Sequence, residues 1–84
     1  MIKKLVKINL NTGLEARPVA QLVQLANEYS CEIHMEVDEK RVNAKSIMGM
    51  MTLGLDAGEE LVVSANGEDE EEALQSMEGY LSGE

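Results

Sequence analysis

The apolar positions change spacing repeatedly along the chain, and each change marks a new element. Val6, Ile8 and Leu10 alternate with Lys7 and Asn9, the period of a strand with one buried face. Asn11, Thr12 and Gly13 then turn the chain. From Pro18 the apolar residues fall at Val19, Leu22, Val23 and Ala26, the stripe of an amphipathic helix with its proline in the first turn, predicted to run to near Tyr29. Ile33, Met35 and Val37 alternate with Glu32, His34 and Glu36 in a second strand. Asp38, Glu39 and Lys40 turn it back, and Arg41, Val42 and Asn43 form the short partner strand of a hairpin.

The segment SIMGMMTL, residues 46–53, predicts a short helix with Ser46 as its N-cap. Gly54 and Gly58 punctuate the next stretch, and Leu61, Val63 and Ala65 alternate in a fourth strand. In EDEEE, residues 68–72, Asp69 is placed to cap a closing helix and Glu72 to complete a capping box; Ala73, Met77, Tyr80 and Leu81 form its apolar stripe. The order βαββαβα predicts an α+β fold. Its form is a two-layer, open-faced β-sandwich with a four-stranded, mainly antiparallel sheet and three helices on one face. With 84 residues and no long polar linker, residues 1–84 are expected to make a single domain.

Charge then excludes a class of function. A formal charge of −9 opposes direct binding to nucleic acid, because a phosphate backbone is held by neutralising Lys and Arg contacts. The N-terminal MIKKLVKINL is interrupted by Lys3, Lys4 and Lys7, so it is read as neither signal peptide nor anchor, and no membrane partner and a cytoplasmic location are expected. The single cysteine, Cys31, permits no internal disulfide and is read as a passive thiol.

Candidate chemistry is sparse. His34, the only histidine, lies between Glu32 and Glu36 on the polar side of its strand, where a solvent-exposed imidazole is expected, and no nitrogen or thiol ligand stands near it at metal-site spacing. No Ser-His-Asp order, P-loop or glycine-rich dinucleotide turn occurs, so no enzyme activity, metal or cofactor is expected. Ser46 by spacing alone is a helix cap. Ile47, Met48, Met50, Met51 and Leu53 are either all core or too many for one face of a two-turn helix, in which case some form an exposed, adaptable docking patch.

Two segments, TGLEARP at residues 12–18 and VNAKSIMGMMTLG at residues 42–54, together with the element order, closely resemble the HPr phosphocarrier family over essentially the whole chain. In that family a histidine preceding Ala-Arg-Pro carries a phosphoryl group between sugar-transport enzymes. Here Glu15 occupies that position, while Arg17 and Pro18 match the family's arginine and proline. An anionic carboxylate at a positive helix end resists an incoming phosphoryl group, and it would yield an acyl phosphate rather than a phosphoramidate. The resemblance therefore implies that carrier activity is lost and that Glu15 serves as a capping or phosphate-mimicking charge.

KSIMG is intact, and Ser46 matches the serine that HPr kinase/phosphorylase phosphorylates in Gram-positive members. The combination resembles the Crh branch of the family. It implies that the phosphoserine form is a corepressor of a LacI-type catabolite control regulator, with Arg17, Ile47, Met48 and Met51 beside Ser46 in the partner-binding surface. A monomer or weak homodimer is expected. Two alternatives stay open at this point: a phosphocarrier whose histidine was replaced by Glu15, and an adaptor that binds a metabolic enzyme independently of Ser46.

Overall fold

The computed structural model describes residues 1–10 and 16–83. Glu15 and the turn at residues 11–14 lie outside the described residues. Seven elements occur in the expected order: β1 (Ile2–Lys7), α1 (Ala16–Ala26), β2 (Glu32–Val37), β3 (Lys40–Asn43), α2 (Ile47–Met51), β4 (Glu60–Asn66) and α3 (Glu70–Leu81). The strands make one sheet in the order β1-β4-β2-β3, and every neighbouring pair is antiparallel.

Register explains which residues are inside. Met35 stands between Val42 and Val63, and Ile33 opposite Ala65, so the inward row of each strand meets the inward row of the next. With Leu22, Met50, Met77 and Leu81 from the helices, Ile33, Met35, Val63 and Ala65 form one buried cluster, against which the partly buried Val42 packs. The opposite face carries the row Lys3, Ser64, His34 and Asn43 beside the row Leu5, Val62, Glu36 and Arg41. Among the described residues no helix covers that face.

Several boundaries differ from the expectation. β1 starts at Ile2 and stops at Lys7, although Ile8 remains tied down by main-chain bonds to Glu59 and Gly58 and is fully buried. α1 starts at Ala16 and ends at Ala26 instead of near Tyr29. There the main-chain bonds tighten to Glu28 on Leu25 and Tyr29 on Ala26, the short-range pattern with which helices commonly close. His34 is half-buried rather than exposed, with Arg41 Nη2 3.3 Å from its Nδ1.

The capping box at α3 does not form. Asp69 occupies the N-cap position but makes no side-chain cap bond. Its carboxylate accepts instead from the main-chain N–H of Ser30 at 2.9 Å and of Cys31 at 3.0 Å, where α1 hands over to β2. Those donors would otherwise lack a partner at a tight turn, and a carboxylate offers four acceptor sites to satisfy them. Glu70 supplies the local bond, accepting from Gly67 N–H at 3.0 Å. Gly67 is required here: its φ is 151°, and a Cβ would lie 2.6 Å from Cβ of Cys31.

Candidate functional site

α2 is built around Ser46. The serine has extended backbone angles, φ −110° and ψ 116°, so the chain enters the helix with its side chain aimed back along the first turn. Its Oγ accepts from Gly49 N–H at 3.2 Å, and its carbonyl accepts from Met50 N–H at 3.0 Å. A Cβ at position 49 would meet Ser46 Oγ at 3.5 Å, an ordinary contact, so the space beside the hydroxyl does not itself demand glycine. Thr52 closes the helix by donating from Oγ1 to the Gly49 carbonyl at 2.7 Å.

The apolar residues of this helix divide between core and solvent. Met50 is completely buried, whereas Ile47, Met48 and Met51 are 52%, 83% and 47% exposed. A helix of this length has one inward arc, and Met50 with the following Leu53 takes it; Ile47, Met48 and Met51 project outward on consecutive turns. Three of the five candidates are thus exposed and two are core.

Arg17 is exposed in the first turn of α1. Its relation to Ser46 comes from contacts at the other end of that helix. Asn27 Nδ2 donates to the Lys45 carbonyl at 3.4 Å, and Lys45 Nζ donates to the Tyr29 carbonyl at 2.6 Å, so the residue before Ser46 is tied to the C-terminal end of α1. With a rise of about 1.5 Å per residue, Arg17 and Asn27 are ~15 Å apart along the axis. Arg17 and Ser46 therefore stand toward opposite ends of α1, and a partner touching both must span that helix. Sequence pattern alone does not predict this tie. Its only signal is an asparagine directly after the α1 stripe and a lysine directly before the capping serine.

The surrounding titratable groups act structurally. Burial, then a hydrogen bond to Asp69, pushes the Cys31 thiol up to about 11, so it stays protonated near neutrality. The Ser30 main-chain bond, reinforced by Cys31, holds the Asp69 carboxyl below the usual carboxylate range. Among the described residues no group of three or more His, Cys, Asp or Glu side chains is placed to hold a metal ion, and no helix is long and apolar enough to cross a membrane.

A family model described as "PTS HPr component phosphorylation site" matches residues 2–82. The chain is 46% identical to the HPr-like protein Crh of Bacillus subtilis, over 100% of this chain and 99% of that protein. The crystal structure of the phosphocarrier protein HPr from Bacillus anthracis superposes with a TM-score of 0.92 at 44% identity, covering 95% of each chain. That of Bacillus subtilis Crh, described as a dimer with a swapping domain, scores 0.81 at 46% identity, covering 100% of this chain and 97% of the other. Identity and structural likeness rank these two in opposite orders. Here β1 folds back onto its own β4.

Proposed function

The chain belongs to the HPr family, and from that premise we propose that it is a regulatory HPr-like protein of carbon catabolite repression rather than a phosphocarrier or an enzyme. In this reading Ser46 is phosphorylated by HPr kinase/phosphorylase, and the phospho-form is the corepressor of a LacI-type catabolite control regulator. The chain acts as one cytoplasmic domain, as a monomer or a weak homodimer like the dimeric relatives. The observation that carries the reading is the capping hydroxyl of Ser46 flanked by the exposed Ile47, Met48 and Met51.

The physical case rests on what a phosphate would do there. It adds about 1.5–2 negative charges and three strong acceptors, one of which can keep the Gly49 N–H bond that Oγ now accepts. Modification at a helix start leaves the fold intact and changes the surface, placing a dianion beside an apolar patch. A partner that reads both needs a basic pocket and an apolar seat. The regulator, and not this acidic chain, contacts DNA.

Calorimetry against the regulator, at fixed salt, tests the proposal with unmodified protein, the Ser46-phosphorylated form and Ser46→Ala. Charge-assisted hydrogen bonds are worth about 1.5–3 kcal/mol each, so the phosphorylated form should bind at least tenfold more tightly than either of the others. Binding of the unmodified and phosphorylated forms within about twofold, only ~0.4 kcal/mol, would overturn the corepressor reading.

A further inference from the structure

A cleft of about 550 Å³ opens between the β2–β3 turn and the loop after α2. Its apolar floor is made by Val37, Leu53 and Leu55, and carboxylates of Asp38, Glu39 and Glu59 stand around it. Lys40 holds the two walls together by donating from Nζ to the Thr52 carbonyl at 3.0 Å, which commits its ammonium to the scaffold. Glu59 is similarly occupied, accepting from Asp56 N–H at 2.7 Å. Among the described residues Asp38 and Glu39 take part in no ion pair.

The cleft continues the surface of α2. Thr52 caps that helix and Leu53 comes directly after it, so the cleft begins where the exposed Met51 ends. Three partly exposed apolar side chains make a patch of only a few hundred Å², whereas a specific interface covers about 800 Å² per partner. A footprint of that area is roughly 30 Å across, comparable to the molecule's own extents of 31 × 24 × 24 Å. A partner seated on Met48 therefore reaches the cleft.

We propose that the cleft receives a Lys or Arg side chain from the partner that covers α2, its aliphatic stem lying on Leu53 and Leu55 and its charged head between Asp38 and Glu39. Long basic side chains suit such a place because stem and head have separate preferences for apolar surface and for water or carboxylate. The arrangement also divides the surface by charge: a phosphate at Ser46 demands a basic pocket, and the hairpin tip demands a second basic group at the far side of the methionines. Two separated charge requirements around an apolar centre fix the orientation of the partner.

The inference rests on the corepressor reading, and its test separates the two. Asp38→Asn/Glu39→Gln removes both charges without changing shape, and asparagine tolerates the left-handed φ of 54° at position 38. Regulator affinity is measured for the Ser46-phosphorylated parent and the Ser46-phosphorylated double variant at low and moderate salt, with circular dichroism confirming the fold. The double variant is expected to bind about fivefold or more weakly at low salt, and the gap should narrow as salt rises. A parent that binds beside a variant within twofold of it at both salts overturns the cleft alone. A phosphorylated parent with no affinity for the regulator overturns both readings.

Discussion

Lys45 Nζ donates to the main-chain carbonyl of Tyr29 at 2.6 Å, so the residue before Ser46 closes the end of the first helix. One ammonium satisfies a carbonyl in the turn that follows α1, lies on the negative side of that helix's dipole, and holds the N-terminus of α2 in place. Substitution Lys45→Met keeps the apolar stem and removes the charge. A cost of about 1 kcal/mol is expected in urea unfolding, below the usual value for a charged hydrogen bond because the group is partly solvated. Amide exchange at Gly49 and Met50 should accelerate more than exchange in β4, since the tie acts on α2; equal acceleration throughout would show a merely global loss.

A second tie holds the next two residues of the same turn, Ser30 and Cys31, and carries a pH signature. Main-chain N–H groups of Ser30 and Cys31 favour the ionised form of Asp69, so its carboxyl in the folded protein titrates below its value near 3.9 in the unfolded chain. The resulting stabilisation is fully present above about pH 4 and is lost as pH falls through the folded-state value. Asp69→Asn offers one carbonyl oxygen where two were used. The variant should be less stable than the parent at pH 7, and the difference should shrink below about pH 4. A difference unchanged from pH 7 to pH 3, measured by thermal unfolding, would show that the charge of Asp69 contributes nothing.

These two ties mark where sequence pattern stops being informative. The strands, the hairpin and the short helix were legible because each rests on neighbours: alternation at Ile33, Met35 and Val37, or a serine three residues before the amide it caps at Gly49. Asp69 looked like a local cap by the same logic. Its true partners are 38 and 39 residues away, and only the packing of the α1–β2 turn against the start of α3 brings them close. The strand order β1-β4-β2-β3 is likewise a matter of which edges meet in space. At the candidate site, counting apolar residues showed that some methionines must face solvent. Which of them do so, and that Arg17 lies a helix length from Lys45, required the fold.

The division among those methionines gives the third prediction. Met50 is fully buried in the central cluster, and Met48, two residues earlier, is 83% exposed. Met50→Ala removes a side chain from a packed interior and leaves a cavity, so it should cost about 2–5 kcal/mol of stability. Met48→Ala should change stability by no more than about 0.5 kcal/mol. It should nonetheless weaken binding of the phosphorylated form to the regulator by about 1–2 kcal/mol, the value of one apolar side chain buried at an interface. Stability effects of similar size at the two positions would mean that α2 presents a different face in solution.

The last prediction concerns Glu15, which the sequence resemblance aligns with the family's phosphohistidine. Incubated with phosphoenolpyruvate and the general enzyme of the phosphotransferase system, the protein is expected to acquire no acid-labile phosphate. Transfer needs a neutral imidazole to attack phosphorus and hold the group as a phosphoramidate, and a carboxylate at this position repels the phosphoryl donor instead. His34 offers no substitute. It projects from β2 onto the open sheet face, in register with Ser64 and Asn43, and its Nδ1 faces Arg41 Nη2 at 3.3 Å. Arg17 remains in the first turn of α1, exposed to an incoming phosphate, so Glu15→His should restore at least partial labelling. Label on the unsubstituted chain would return it to the phosphocarriers. Failure of Glu15→His to accept label would show that the contacts with the donor enzyme, and not only the nucleophile, have been lost.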